Sequence, residues 1–170
     1  MTYHIYTDGS CRQSGCGFGV VGLFNKKMLF AHQEQCQNST NNREELKAII
    51  AAIQAAQRDP ANEYIIYSDS SYCVKSINEW MPQWYQKNWI NSKKKEVENI
   101  DLMKTLFSLL YITEENTVFP IQTNFSIQWL KGHNNIIGNE LADALATKNT
   151  KKFKQIITEN QIEINKVDIF

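Results

Sequence analysis

The 170-residue sequence predicts one α/β domain in which a mixed sheet carries helices on both faces. Two observations lead to this prediction. The chain starts with runs whose alternation and composition are typical of strands, and a helical period of apolar residues begins near residue 44. Beyond that helix, short strand-like runs alternate with helical segments, which is the order expected of parallel strands joined by helices.

Three antiparallel strands are predicted first. Residues 2–7 alternate and stop at Asp8, Gly9 and Ser10, which indicates a strand that ends in a turn. Residues 18–24 and 28–35 are rich in β-favouring types and are separated by polar residues, so they are predicted to form a hairpin.

The following elements alternate between helix and strand. Residues 44–58 place Leu46, Ile49 and Ile53 on one helical face, and residues 64–68 form a short strand that ends at Asp69. Further predicted elements are helices at 72–80, 101–112 and 138–149 and a strand at 126–130. Residues 1–150 are therefore predicted to form one domain, followed by a tail, 151–170, whose apolar spacing fits either a strand or a helix.

Composition and charge limit the functional classes. Hydrophobic residues make up 42% and charged residues 21%, as in an ordinary soluble domain. No apolar run approaches the ~18–20 residues of a membrane span, and the N-terminus lacks a secretion signal, so a cytoplasmic or nuclear location is expected. A monomer is the default expectation. The net charge is zero, so a nucleic-acid partner would have to be met by a local basic patch.

The cysteines are predicted to be free thiols in a reducing compartment, because they form no Cys-x-x-Cys pair and have no histidine-rich surroundings. They are Cys11, Cys16, Cys36 and Cys73. Residues 17–22 spell the glycine pattern of a dinucleotide-binding loop. That role is excluded because the apolar run continues as a strand, whereas the motif requires a helix to open there.

Four acidic residues are candidates for a common site. Asp8 and Asp69 each end a predicted strand, Glu45 lies in the first turn of the first long helix, and Asp143 lies in the last predicted helix. Strand ends and the adjoining helix terminus converge on one edge of an α/β sheet. Each acid alone also has a structural explanation, in a turn or at a helix terminus.

Clustered carboxylates repel one another, and cations make such a cluster tolerable. Oxygen ligands with open positions favour Mg²⁺ or Mn²⁺ over Zn²⁺. Two such ions stabilise the attacking and leaving oxygens of a phosphodiester. The acidic set therefore predicts hydrolytic phosphoryl chemistry.

The motifs around these acids resemble, in order, those of type 1 ribonuclease H. They are Tyr6-Thr-Asp-Gly-Ser-Cys, Thr40-Asn-Asn-Arg-Glu-Glu-Leu, Tyr67-Ser-Asp-Ser-Ser-Tyr, Trp129-Leu-Lys-Gly-His and Asn139-Glu-Leu-Ala-Asp. The resemblance implies a five-stranded mixed sheet with helices on both faces. It also implies an endonuclease that cuts the RNA strand of RNA/DNA hybrids and leaves 5′-phosphate and 3′-hydroxyl ends.

The resemblance assigns roles to five residues. Asp8 would bridge two Mg²⁺ ions, for which Mn²⁺ can substitute; Glu45 and Asp69 would hold one ion, and Asp143 the ion that activates water. His133 matches a mobile-loop histidine that moves protons or helps product leave, although a lone histidine is more often structural. Glu44 competes with Glu45, but a neighbouring helical residue points ~100° away, and the Asn-Asn-Arg-x-Glu pattern selects Glu45.

Two segments are predicted to bind the hybrid. Thr40 matches a phosphate contact of the family, Asn41 and Asn42 match residues that reach the minor groove, and Cys11 belongs to the same predicted surface. The second segment interleaves aromatic and basic residues and resembles the family's basic protrusion. Its predicted contacts are Trp80, Trp84, Lys87, Trp89, Lys93 and Lys94. Alternatively, its tryptophans belong to the core and its lysines form a solvated face.

Two other functions stay open at this point. One is a catalytically silent relative that only binds nucleic acid, which the intact set of carboxylates argues against. The other is a DNA nuclease or integrase of the same fold, which Asn41, Asn42 and the basic aromatic segment disfavour.

Overall fold

A mixed β-sheet forms the centre of the computed structural model, which describes residues 1–164 and 168–169. Its strands are β1 (Thr2–Arg12), β2 (Gly15–Phe24), β3 (Lys27–Cys36), β4 (Glu63–Ser68), β7 (Phe125–Trp129) and the two-residue β8 (Asp168–Ile169). In the described part of the chain their order is β7-β4-β1-β2-β3-β8. Strand β2 pairs antiparallel with β1 and with β3. The parallel pairs are β1 with β4, β4 with β7, and β3 with β8. The predicted five-stranded mixed sheet is confirmed, and β8 extends it at the β3 edge.

The first strand is longer than predicted. β1 does not turn at Asp8 but continues to Arg12, because Gly9 and the residues after it keep pairing with β2. The hairpin turn between β2 and β3 falls at the predicted polar residues, where Asn25 adopts a left-handed φ of 55°.

Helices connect the strands. They are α1 (Asn41–Gln57), α2 (Ser71–Lys75), a π-helical segment (Ser76–Trp80), α3 (Met81–Gln86), α4 (Ile100–Leu110), α5 (Ile137–Ala146) and α6 (Thr150–Glu159). The helix predicted at 101–112 ends at Leu110, and a separate hairpin follows, β5 (Tyr111–Glu114) with β6 (Thr117–Pro120). Among the described residues, no helix combines the length and apolar character needed to cross a membrane.

Apolar clusters lie on both faces of the sheet, as the side-chain alternation of β2 requires. Val20 belongs to one cluster and Val21 to the other. Helix α1 buries Leu46, Ile49 and Ile53 in the first cluster, together with α4. The helices predicted on both faces are therefore present.

Helix α6 covers the second cluster. Leu141 and Leu145 of α5 belong to this cluster, and the half-buried Phe153, Ile156 and Ile157 of α6 pack against it. The chain then returns to the β2–β3 turn, where the backbone N–H of Met28 donates to the Glu163 carbonyl at 2.9 Å. The tail that fitted either strand or helix is thus helical at its start, and the predicted division at residue 150 falls at the beginning of α6.

The packing of α1 gives a stability prediction. Ile53 is fully buried, so Ile53→Ala removes apolar contacts and leaves a cavity, with an expected loss of about 2–4 kcal/mol in the free energy of unfolding. Ile50, on the same helix but only partly buried, is the matched control, and Ile50→Ala should cost less. Urea denaturation of both variants measures this difference. Equal losses would contradict the assignment of Ile53 to the core.

Candidate active site

The sheet brings two of the predicted acids together. β1 and β4 are parallel, with Tyr6 opposite Tyr67, and Asp8 and Asp69 each follow two residues later. Glu45 reaches the same place from the first turns of α1. One carboxylate oxygen of each of these three residues lies within 4.8 Å of the others. The structure therefore places Asp8, Glu45 and Asp69 in one cluster at the carboxyl edge of the parallel strands.

Gly9 allows α1 to approach this edge. A Cβ at this position would overlap the backbone of Glu44 and Glu45, so any larger residue would push the helix away. The role of Gly9 is therefore this close approach and not the predicted turn.

The two adjacent glutamates of α1 have different surroundings. The buried carboxylate of Glu44 accepts a hydrogen bond from Ser39 Oγ at 2.7 Å and pairs with Lys47 Nζ at 2.8 Å. Glu45 faces Asp8 and Asp69. The rotation between successive helical residues thus separates a structural acid from one in the cluster.

Burial and like charge disfavour ionisation in the cluster. Burial, and then the neighbouring Asp69, raise the pKa of Asp8 to about 8. Burial and the charge of Asp8 raise the pKa of Glu45 well above its ordinary value, and burial raises that of Asp69. These directions mean that the cluster binds protons more tightly than free carboxyl groups do.

The donor set fits a divalent cation. The Oε2 atom of Glu45 is buried without a hydrogen-bond partner among the described residues, although buried polar atoms normally have one. Three converging carboxylates offer oxygen donors only, which suits Mg²⁺ or Mn²⁺. A bound cation would satisfy the lone Glu45 oxygen and offset the repulsion of the cluster.

Asp143 reaches the cluster from α5. Asp143 is not one of the three acids whose oxygens meet within 4.8 Å, but it is near enough to help raise the pKa of Asp8. Lys152 Nζ donates to Asp143 Oδ2 at 2.7 Å. Burial alone would raise the pKa of Asp143, but the hydrogen bond and charge of Lys152, the contact with Asp8 and the charge of His133 together outweigh burial and lower it. Asp143 is therefore the acid of the four that keeps its charge most easily.

The loop after β7 supports Asp69. The indole N–H of Trp129 donates to the Asp69 carbonyl at 3.0 Å, a contact that the sequence analysis missed although Trp129 opens the matched motif. A Cβ at Gly132 would lie 2.6 Å from Asp69 Oδ2, so the loop reaches the carboxylate only with glycine there. His133 follows with a φ of 52° and is exposed; where its ring is protonated, its charge opposes the effect of burial on the pKa values of Asp69 and Asp143.

The cysteine prediction is wrong for one pair. Cys11 and Cys16 form a disulfide, whereas Cys36 and Cys73 are free thiols. The antiparallel register sets Cys11 directly opposite Cys16. This pair was not predicted because the two cysteines do not form a Cys-x-x-Cys motif. The backbone N–H of Cys11 donates to Asn41 Oδ1 at 2.6 Å, so the disulfide lies beside the start of α1.

The residues predicted to bind the hybrid lie on two surfaces. Thr40, Asn41 and Asn42 are exposed at the start of α1, where the Thr40 hydroxyl accepts the N–H of Arg43 at 3.1 Å and caps the helix. Their exposure leaves Asn42 and the amide of Asn41 accessible close to the carboxylate cluster.

The basic aromatic segment is divided between core and surface. Lys87, Lys93 and Lys94 are exposed, and the half-buried rings of Trp80 and Trp84 lie 5.9 Å apart. Trp89 is only 8% exposed because its ring packs edge-on against Phe107. Trp89 therefore stabilises the segment as part of the core, and its buried ring is not available to contact a hybrid as predicted.

Comparison with known proteins identifies the family of the chain. The RNase H family profile matches residues 1–151. Ribonuclease H of Cupriavidus pinatubonensis is 38% identical over 148 residues, covering 85% of this chain and 92% of that protein. Ribonuclease H of Legionella pneumophila is 37% identical over 148 residues, covering 86% and 94%.

Solved structures share the fold. LC9-RNase H1, described as a type 1 RNase H with the type 2 active-site motif, superposes with a TM-score of 0.66 at 18% identity, covering 96% of this chain and 86% of that one. LC11-RNase H1 in complex with an RNA/DNA hybrid gives 0.56 at 19% identity, covering 86% and 98%.

The α/β fold and the carboxylate edge, together with curated relatives named Ribonuclease H, place the chain among the hydrolases that cleave phosphodiester bonds. Within that class, the chain belongs to the ribonuclease H family, on the family match and on its identity to curated relatives.

The raised pKa of Asp8 gives a prediction about stability and pH. A folded-state pKa of about 8 exceeds the unfolded value of 3.8, so this contribution to stability is present below pH 4 and is lost as the pH rises to about 8. In EDTA, Asp8→Asn, which cannot ionise, should gain stability relative to wild type between pH 5 and pH 8. Thermal melts of both proteins across this range measure the gain.

Asp101 provides a control of opposite sign. The hydrogen bond from Arg43 lowers its pKa to about 2, so its contribution is present above pH 4 and is lost only in acid. Asp101→Asn should therefore show no gain between pH 5 and pH 8. A gain that did not change with pH in Asp8→Asn would contradict the role of charge in the cluster.

Proposed function

We propose that the protein is a Mg²⁺-dependent endonuclease that hydrolyses the RNA strand of RNA/DNA hybrids and leaves 5′-phosphate and 3′-hydroxyl ends. The observation that carries this proposal is the buried Glu45 oxygen, which has no hydrogen-bond partner in the described part of the chain and lies in a cluster that also contains Asp8 and Asp69. Relatives named Ribonuclease H support it.

The residues that would hold the metal are Asp8, Glu45, Asp69 and Asp143. In this proposal two Mg²⁺ ions bind together with the substrate, and Mn²⁺ can replace them. Such ions supply Lewis acidity, which stabilises charge on the phosphodiester oxygens and makes bound water more acidic. Binding of the cations would also draw protons off Asp8 and Glu45, whose pKa values are raised in the structure.

The chain's own groups would position the substrate and handle protons. Gly132 brings the loop against Asp69, and the exposed His133 follows it directly. A neutral ring nitrogen of His133 can accept a proton at the reacting phosphate or assist departure of the product. The Trp129 hydrogen bond ties the end of β7, where this loop begins, to the Asp69 backbone.

Selection of a hybrid would depend on the start of α1. Asn42 is exposed beside Asn41, whose amide oxygen is held by the Cys11 N–H. Their amide groups can contact base edges and 2′-hydroxyls in a shallow minor groove, with little dependence on base sequence. The structure of LC11-RNase H1 with an RNA/DNA hybrid supports this substrate class.

A cleavage assay tests the proposal. Labelled RNA/DNA hybrid, single-stranded RNA and duplex DNA are incubated with wild type and Asp8→Asn, in Mg²⁺ or in EDTA. We expect cutting of the hybrid alone, only with Mg²⁺, and a loss of about a hundredfold or more in Asp8→Asn because a shared ligand of the cations is removed.

The outcomes separate the competing functions. Hybrid that is bound but never cut in Mg²⁺ or Mn²⁺ would favour a catalytically silent relative. Cutting of duplex DNA would favour a DNA nuclease or integrase. Analysis of the product ends would test the predicted 5′-phosphate.

The exposed lysines give a separate binding prediction. Replacing Lys87, Lys93 and Lys94 together by Ala should raise KM for the hybrid while leaving kcat nearly unchanged, because these side chains contact phosphates away from the carboxylates. The dependence of log Kd on log salt should become shallower, by up to about one unit for each lost phosphate contact. Lys26→Ala, an exposed lysine at the β2–β3 turn, is the control. An unchanged salt slope would remove this segment from the binding surface.

A further inference from the structure

Lys152 of α6 contacts the predicted active site from outside the family match, which ends at residue 151. Its Nζ lies 2.7 Å from Asp143 Oδ2 and 3.0 Å from Glu140 Oε2. The side chain of Asp143 is 17% exposed and that of Glu140 is 23% exposed, so this contact is partly shielded from water. One ammonium group thus joins two carboxylates of α5.

The position of Lys152 is fixed by how α6 begins. Asn149 caps the helix, and its Oδ1 accepts the backbone N–H of Lys152 at 3.0 Å. The N–H of Asn149 in turn donates to the Ala144 carbonyl at 2.8 Å, which ties the turn to α5. The apolar face of α6 packs on the second cluster. The ammonium group is therefore aimed at Asp143 by a packed helix.

The contact uses an oxygen that a cation would also use. A lysine ammonium has three donors and no acceptor, so it cannot itself bind a metal ion. It occupies Oδ2 of Asp143 and repels any cation placed nearby. Glu140 offers Lys152 a second acceptor, so the ammonium can leave Asp143 without losing every partner.

We propose that Lys152 is the resident counter-ion of Asp143 and competes with the divalent cation that this carboxylate binds. Glu140 holds the ammonium group when the cation takes Asp143. The inference rests on the proposed function, in which Asp143 is a metal ligand. Lys152 is thus a positioning residue, because it acts on the cation through Asp143.

Competition predicts the direction in which cation affinity changes when Lys152 is replaced. Removing the ammonium group should strengthen binding of the cation, on the order of fivefold, the size expected from one partly screened ion pair. A purely structural role predicts the opposite, since loss of the contact would loosen Asp143 and weaken the site. The direction of the change therefore distinguishes the two roles.

The test is a titration of the full chain with Mn²⁺, in which free Mn²⁺ is followed by electron paramagnetic resonance. The variants are Lys152→Gln, which removes the charge, and Lys152→Arg, which keeps it. Lys151→Gln is the matched control because Lys151 is exposed on the same turn of α6. We expect tighter binding in Lys152→Gln and wild-type affinity in the other two.

A double variant shows whether the effect acts through Asp143. In an Asp143→Asn background, Lys152→Gln should no longer strengthen binding, because the carboxylate under competition is gone. Unchanged or weaker binding in Lys152→Gln would overturn the proposal, and so would an equal gain in Lys151→Gln or in the Asp143→Asn background. Circular dichroism of each variant confirms that it is folded.

A parallel cleavage assay separates this inference from the proposed function. We expect the Mg²⁺ concentration for half-maximal cutting of hybrid to fall in Lys152→Gln, in step with the Mn²⁺ affinity. If the wild-type protein never cuts the hybrid, the proposed function fails, yet the Mn²⁺ titration still reports on competition. If it cuts the hybrid but the Mn²⁺ affinities do not differ, only the competition fails.

Discussion

The parallel pairing of β1 with β4 is the constraint on which the site depends. Because Tyr6 stands opposite Tyr67, Asp8 and Asp69 emerge side by side at one sheet edge, and Gly9 lets α1 bring Glu45 against them. Burial of the carboxylates and, after it, repulsion between them oppose this arrangement, as the raised pKa values of Asp8 and Glu45 indicate. The sheet and the packed helix hold the carboxylates in place despite that repulsion, which makes the site ready to receive a cation.

Much of this arrangement could be predicted from residue patterns. The helical period of α1 and the strand-like runs predicted the sheet and the helices that pack on it. The positions of Asp8 and Asp69 at strand ends, and of Glu45 in the first turn of the helix, predicted that these acids would meet. The end of β1 could not be predicted, because Gly9 belongs to a strand only through its pairing with β2. The Cys11–Cys16 disulfide depends on the same register, which connects residues that no local motif relates.

The side chains around the site show a second limit. Trp84 and Trp89 lie in the same segment and have the same chemistry, yet only Trp89 is enclosed, by Phe107 of α4. Sequence spacing cannot distinguish such a pair, because the contact comes from a distant helix. The ion pair of Lys152 was missed for a related reason. It lies beyond the motifs of the family, and only the turn between α5 and α6 brings it back to Asp143.

The location of α6 affects how a recombinant version should be designed. A boundary drawn where the family match ends would keep α5 and remove the helix that covers its apolar side, where Leu141 and Leu145 pack. The shortened protein would expose a hydrophobic surface to solvent, and exposed hydrophobic surfaces promote self-association. Aggregation of a fragment ending at residue 151 would then result from the loss of α6, which covers the second cluster, even though every carboxylate of the site is still in the chain.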